Sequence, residues 1–163
     1  LMKKYFLLII FFFTSFSSLA NEIAVVDINF LLKNSNEGKA IDKEFKSQNE
    51  KNLNSFKKKE KELKDKENKI ASKKNVLSKE DFKKEVQAFS EEVKKYNKGR
   101  NEKINKTNNQ NNENVVKLLK KINSILIDYS KENNISTTLD KKYVIMTKSE
   151  NDITEKILKI LNK

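Results

Sequence analysis

The sequence predicts an α+β protein in which a long antiparallel helical hairpin projects from a small body that contains β-strands. The 163 residues include no Pro and only two Gly, although most tight turns depend on these residue types. The hydrophobic fraction of 36% is lean for one thick core. Apolar residues in the middle of the chain recur every seven residues, as in helices that pack along a narrow seam.

The first twenty residues have the order of a secretory signal peptide. Lys3 and Lys4 precede an apolar run, and the small residues Ser18 and Ala20 precede a predicted cleavage before Asn21. The apolar run has about 12 residues, whereas a membrane-spanning helix needs roughly 20. We therefore expect an exported protein that begins at Asn21, and an uncleaved membrane anchor is the alternative.

The first arm of the hairpin follows a short strand. Residues 23–27 are mostly apolar and rich in β-branched residues, which predicts a buried strand, and residues 30–32 predict a short apolar turn or helix. Ser35 and Asn36 are candidate N-caps for a helix over residues 37–74. One strong apolar residue per heptad marks its thin seam: Phe56, Leu63, Ile70 and Leu77. The Glu and Lys residues along the arms are expected to form solvated faces.

The second arm begins after a break near residues 73–78, with Ser78 as its N-cap. Its seam is cleaner, with spacings of four and three residues: Phe82, Val86, Phe89, Val93 and Tyr96. Two such helices fold back as an antiparallel hairpin over residues 37–114, with arms about 55 Å long. Residues 105–114 contain six Asn, which fits either a weak helical stretch with a hinge or a loop.

The body is expected to combine both ends of the mature chain, residues 21–36 and 115–163. Residues 115–129 have a wide apolar face, residues 135–139 and 143–147 predict two short strands, and residues 153–161 predict a final helix. A body of about 65 residues is marginal alone, so we expect oligomerisation. The expected contributors to this oligomerisation body are Val25, Val26, Ile122, Tyr143 and Ile145.

Composition argues against catalysis and against nucleic-acid binding. The chain has no Cys or His and lacks Gly-rich phosphate loops, so we expect no enzyme activity, metal or cofactor. Asp27, Asp140 and Asp152 are interpreted as caps and turn residues. A net charge of +12 attracts anions in general. However, no nucleic-acid-binding motif accompanies that charge, and export separates the protein from the genome.

The two ends of the mature chain resemble the Skp/OmpH family of periplasmic chaperones. The resemblance lies in residues 23–27, 34–35 and 37–40 at one end, and in residues 129–135, 139–140 and 152–158 at the other. It implies a homotrimer in which strands of three bodies form a shared barrel-like core and three hairpins enclose a cavity. It further implies that unfolded outer-membrane proteins are held there without ATP. Ser136, Thr137 and Thr138 depart from the family's apolar strand, so this strand is expected to be weak or half exposed.

Two sets of arm residues are candidates for binding. The predicted client-binding residues are Phe45, Phe56, Leu63, Phe82, Phe89 and Val93. The residues predicted to attract acidic clients, anionic lipid or lipopolysaccharide are Lys57, Lys58, Lys59, Lys73 and Lys74. The alternative function is a non-chaperone coiled-coil scaffold of the envelope, or a membrane-tethering protein, which uses the same heptads for assembly alone.

Overall fold

The computed structural model describes residues 22–163, so the predicted signal segment lies outside the described residues. The elements are β1 (Glu22–Val26), α1 (Ile28–Asn34), α2 (Asn36–Ser72), α3 (Lys79–Glu132), β2 (Ile135–Asp140) and α4 (Thr154–Leu161). Two short 3₁₀ turns, Lys141–Tyr143 and Ser149–Asn151, lie between β2 and α4. The predicted α+β class, with long helices and a small sheet, is confirmed.

Side-chain caps start the first three helices where the sequence places them. The Asp27 carboxylate accepts a hydrogen bond from the Phe30 amide at 2.8 Å and begins α1. The Ser35 hydroxyl accepts a hydrogen bond from the Gly38 amide at 3.1 Å and begins α2. The Ser78 hydroxyl accepts one from the Asp81 amide at 3.1 Å and begins α3. Each cap satisfies an amide that has no partner inside the first helical turn.

Gly38 allows α1 and α2 to meet at very short range. A Cβ atom at this position would lie 1.8 Å from the backbone oxygen of Leu32. No side chain fits at that distance, because the obstacle is backbone and not the end of a flexible chain. The entry of the chain into the hairpin therefore depends on glycine here.

The long helices α2 and α3 run antiparallel and form the hairpin. Helix α3 has 54 residues and continues through the Asn-rich residues 105–114 without a break. The loop interpretation of these residues is therefore wrong. Asn is a mediocre helix former, but packing against α2 outweighs propensity in this stretch.

Both ends of the described chain build one small core. Strands β1 and β2 pair in parallel, and Val25 lies opposite Leu139. Buried residues from β1, α1, α3 and α4, and from the residue that precedes α4, form the cluster: Ala24, Val26, Leu31, Leu118, Ile122, Ile153, Ile157 and Leu161. Ser136 and Thr137 on β2 are exposed, which confirms that this strand is only half covered.

The predicted strand over residues 143–147 is wrong. Asp140 caps the Lys141–Tyr143 turn instead, and the residues after it have no strand assignment. Within one chain β1 offers no edge to these residues, because it pairs with β2 on one side. Its other side is occupied by Asp152, which bridges Val25, and by a hydrogen bond from the Ile153 amide to the Val25 oxygen at 2.9 Å.

Candidate functional site

The hairpin helices meet along a narrow apolar seam. Phe56, Leu63 and Ile70 of α2 are buried, with 7%, 7% and 8% of their surface exposed. They lie seven residues apart, so the heptad interpretation is confirmed for these three, whereas Leu77 lies in the turn after the end of α2. On the facing part of α3, residues 82–96, the apolar seam residues are covered less, and Val86 remains 41% exposed. A seam between only two helices leaves apolar surface open on its flanks.

Lysines occupy seam positions between those apolar residues. Lys59, Lys66 and Lys73 are also seven residues apart and face carboxylates of α3. The Lys59 and Lys66 amines lie 3.1 Å and 2.5 Å from the Glu92 carboxylate. The Lys73 amine lies 2.8 Å from Glu85. These lysines are solvated as expected, but they also form ion pairs across the hairpin, because the antiparallel register brings each of them opposite an acid.

Glu92 contacts two lysines that lie about two turns apart on α2, and we call Lys59, Lys66 and Glu92 the Glu92 clamp. Hydrogen bonds from Lys66 and then Lys59 hold the pKa of the Glu92 carboxyl below its usual range. The hydrogen bond to Glu92 likewise raises the pKa of the Lys59 amine. The Glu92 carboxylate and the Lys59 amine are therefore charged at neutral pH, and the attraction within the clamp weakens with added salt because its groups remain partly exposed.

The seam becomes polar toward the body. The Asn52 side-chain amide donates a hydrogen bond to the Thr107 hydroxyl at 3.0 Å, and both residues are buried. A cavity of about 60 Å³ adjoins this pair and is lined by Ile41 and Phe45 of α2 and by polar residues of α3. The seam at the root of the hairpin is thus more polar than in the middle.

The six predicted client-binding residues fall into two groups. Phe56 and Leu63 are buried between the helices. The other four, Phe45, Phe82, Phe89 and Val93, are half-buried and keep part of their surface open to solvent. Only this second group presents apolar surface while the hairpin is closed.

The five predicted basic residues also divide. Lys59 and Lys73 are held in ion pairs across the hairpin. Lys57, Lys58 and Lys74 are exposed and form no ion pair within residues 22–163. These three amines are therefore available to external anions.

A groove of about 500 Å³ lies beside the seam, and the sequence alone does not predict it. Phe56 and Tyr96 contribute aromatic rings to it, and Gly99, Arg100 and Lys103 lie along α3. The signal in the sequence was Gly99, a glycine in the interior of a long helix. Without the position of α2, nothing indicates which side of α3 that glycine opens.

The predicted oligomerisation residues lie partly inside the single-chain core. Val25, Val26 and Ile122 are buried there, with 1–2% of their surface exposed. In contrast, Tyr143 is 78% exposed and Ile145 is 103% exposed. A concavity of about 690 Å³ lies beside Ile145 and also contacts Asp152. This part of the body displays apolar surface that a single chain does not cover.

The acidic residues of the body have structural roles. Burial alone would raise the pKa of the Asp152 carboxyl, but hydrogen bonds from Lys141 and Thr154 hold it below its usual range. Asp27 caps α1, and Asp140 caps the 3₁₀ turn Lys141–Tyr143, so the cap interpretation is confirmed for both. Among residues 22–163, no cluster of three His, Cys, Asp or Glu side chains is suited to hold a metal ion. In the same range, no helix is both long enough and apolar enough to cross a bilayer.

Comparison with known proteins gives a family and a fold. The family model described as outer membrane protein (OmpH-like) matches residues 22–161. A crystal structure from Caulobacter crescentus CB15, of a protein provisionally assigned as an OmpH-like outer membrane chaperone, superposes with a TM-score of 0.80. The two share 13% identity over 86% of this chain and 83% of that chain, so this likeness shows the fold alone. No curated protein sequence matches significantly.

Proposed function

Because this chain belongs to the OmpH-like family of outer membrane proteins, we propose that it is an ATP-independent holdase chaperone of the periplasm. In this role it binds unfolded outer-membrane proteins between helical arms and prevents their aggregation, without catalysing a reaction. The provisional chaperone assignment of the Caulobacter protein supports this proposal, since the two proteins share the hairpin-and-body fold.

The observation that carries the proposal is the incompletely covered apolar surface of the hairpin. Phe45, Phe82, Phe89 and Val93 are only half-buried, and Leu53 is 51% exposed. A holdase needs such surface, because it must bind many apolar segments weakly and release them without an energy source. Client contact is assigned to the four half-buried residues. Phe56 and Leu63 hold the helices together, and Leu63 would reach a client only where α2 and α3 separate.

The proposed working form is a homotrimer that associates through the body. The exposed residues Tyr143 and Ile145, together with Met146 at 88% exposure, support a subunit contact in this region. The two-stranded sheet points the same way, because such a sheet is marginal in isolation and β2 has no neighbour on its outer edge within the described chain.

Exposed lysines on the arms extend the proposal to charged partners. Lys57, Lys58 and Lys74 are placed to attract acidic regions of clients or the headgroups of an anionic lipid surface, including lipopolysaccharide. Export to the periplasm would be accompanied by cleavage between Ala20 and Asn21. Intact-mass analysis of the periplasmic fraction tests this step, and a dominant species that retains residues 1–20 contradicts it.

An aggregation assay separates a holdase from a coiled-coil scaffold. A urea-denatured outer-membrane barrel protein is diluted into buffer without nucleotide, and light scattering is followed with increasing amounts of this protein. A holdase suppresses scattering at a near-stoichiometric ratio. A scaffold or tethering protein leaves the scattering curve unchanged, and that outcome rejects the proposal.

A further inference from the structure

The groove beside Gly99 has a composition unlike the rest of the arm surface. It is lined by Phe56 and Lys59 of α2 and by Lys95, Tyr96, Gly99, Arg100 and Lys103 of α3, with Ser55 and Glu92 at its margins. We call this set the Gly99 groove. Four cations and one carboxylate surround two aromatic rings, so the groove combines apolar surface with an excess of positive charge.

Gly99 keeps the groove open. Glycine in a helix interior costs roughly 1 kcal/mol relative to alanine, so its presence requires a reason. At Gly38 the reason is a backbone clash, but a Cβ atom on Gly99 would meet nothing within 4 Å. Helix packing therefore does not demand this glycine. A larger side chain at position 99 would instead reduce the free volume of the groove.

Two of the four cations of the groove have no acidic partner within the described chain, and Arg100 has only the distant Glu60 carboxylate. Lys95 and Lys103 form no ion pair there, whereas Lys59 is already paired with Glu92. The Arg100 guanidinium lies 5.2 Å from the centroid of the Phe56 ring, and its Nε is buried without a hydrogen-bond partner.

The nearest acid does not satisfy Arg100. Its Nε lies 3.7 Å from the Glu60 carboxylate, which is too long for a hydrogen bond. That carboxylate oxygen already accepts from the Tyr96 hydroxyl at 2.8 Å. The groove therefore contains a desolvated donor and two free amines that an external acceptor would complete.

The spacing of these cations fits an extended polypeptide. Lys95 and Lys103 are eight residues apart on one helix, which corresponds to about 12 Å along its axis. Acidic residues four apart in an extended chain are separated by roughly 13 Å. A phosphate group, in contrast, is best met by donors that converge at one point. We propose that the Gly99 groove binds acidic segments of unfolded polypeptides, with carboxylates against Lys95 and Lys103 and an apolar side chain over Gly99.

This inference rests on the proposed holdase function, and a peptide-binding measurement tests it directly. The probe is a fluorescein-labelled, unstructured peptide with Glu at every fourth position and Phe between them, measured by fluorescence anisotropy with the full-length mature protein. Gly99→Leu fills the groove while it improves helix propensity, so loss of folding does not explain a loss of binding. The double variant Arg100→Gln/Lys103→Gln removes two donors. Each variant is expected to weaken binding about tenfold or more.

Three matched measurements decide the outcome. Lys94→Gln/Lys106→Gln changes net charge equally outside the groove and should weaken binding less than about twofold. A peptide with Gln in place of Glu should bind about tenfold more weakly than the acidic peptide. Phosphatidylglycerol vesicles should bind equally to the native protein and to Gly99→Leu. Unchanged peptide affinity in Gly99→Leu, an equal loss in the charge control, or selective loss of vesicle binding overturns the proposal.

The aggregation assay distinguishes this proposal from the one on which it rests. If the native protein suppresses aggregation and Gly99→Leu binds the acidic peptide normally, the groove assignment fails and the holdase function stands. If the native protein does not suppress aggregation, the holdase function fails whatever the peptide measurement gives.

Discussion

Asn52 and Thr107 form a buried hydrogen bond across the hairpin, 3.0 Å from amide nitrogen to hydroxyl oxygen. The Thr107 hydroxyl donates in turn to the backbone oxygen of Lys103 at 3.0 Å. Both residues occupy positions where an apolar seam would otherwise continue. A polar pair of this kind specifies the alignment of two helices, since a slipped register would bury the Asn52 donor without an acceptor.

Removing one partner of this bond should cost more stability than removing both. Thr107→Val leaves the Asn52 amide buried and unpaired, and we expect it to lower the free energy of unfolding by about 1–3 kcal/mol. Asn52→Leu/Thr107→Val replaces both polar groups and should restore most of that loss. Urea denaturation followed by circular dichroism measures both variants. If the double variant is as unstable as the single one, the hydrogen bond does not set the stability of this layer.

The Glu92 clamp should lose its effect in acid. The pKa of Glu92 is lower in the folded hairpin than in the unfolded chain, so its charge stabilises the hairpin above the unfolded pKa of about 4.3. This stabilisation is lost as the pH falls through the folded pKa. Glu92→Gln should therefore lower the urea midpoint at pH 7 and make no difference near pH 2.

A neighbouring acid controls for the general loss of one charge. Glu91 is exposed and forms no ion pair in the part of the chain that the structure describes, so Glu91→Gln should leave the midpoint nearly unchanged at both pH values. The effect of Glu92→Gln should also shrink in about 1 M salt. A pH-independent effect of Glu92→Gln would mean that packing, not charge, holds this part of the seam.

The sequence alone located the hairpin because its signals are local. Heptad spacing, the absence of Pro, and the caps Ser35 and Ser78 each depend on residues a few positions apart. The Glu92 clamp was not predicted, because in the sequence Lys59 and Lys66 do not differ from other solvated lysines until the register of α3 against α2 is known. The Gly99 groove was hidden for the same reason.

In the segment after β2, the sequence predicts a strand that the structure does not contain. Residues 143–147 have the composition of a strand, but strand propensity only describes how well side chains fit a sheet surface. A strand also needs a partner strand, and within the described chain Ile145 pairs neither with β1, whose two sides are occupied, nor with β2. Propensity therefore predicted an element that the single chain does not form.

The two glycines should respond to alanine in opposite directions. Gly38→Ala places a Cβ atom against the Leu32 carbonyl oxygen, and we expect it to destabilise the protein by about 3 kcal/mol or more. Gly99→Ala meets open space in a helix and should stabilise by about 0.5–1 kcal/mol. Thermal unfolding of the pair provides the comparison. Equal effects of the two substitutions would contradict the close approach of α1 and α2.

Substitutions of Phe56 and Phe89 should affect stability and client binding to different degrees. Phe56 is buried in the seam, so Phe56→Ser should lower the stability of the hairpin by about 3–5 kcal/mol. Phe89 is half-buried, so Phe89→Ser should weaken suppression of aggregation with a smaller loss of stability. Light scattering and thermal unfolding are measured on the same samples. Full suppression by Phe89→Ser removes this residue from the client surface.

Ile145 provides the sharpest test of trimer formation. Val25 would be a poor choice, because it is 1% exposed and Val25→Asp buries a charge whether or not subunits associate. Ile145 is fully exposed in one chain, so Ile145→Asp has no reason to destabilise a monomer. If subunits bury this side chain, the introduced carboxylate must be desolvated at the contact, and the variant should dissociate.

Light scattering across a dilution series, paired with thermal unfolding, gives the result. The native protein should have the mass of three chains and a melting temperature that rises with concentration, because association stabilises only the folded state. Ile145→Asp should shift the mass toward one chain and remove that concentration dependence. Asn112→Asp makes the same change in charge at an exposed position of α3 and should behave as the native protein does. Two outcomes would contradict this prediction: a native protein with the mass of one chain, or an Ile145→Asp variant with the native mass. Either result would place Ile145 outside any subunit contact, and a subunit contact would then not explain the exposure of Tyr143 and Met146.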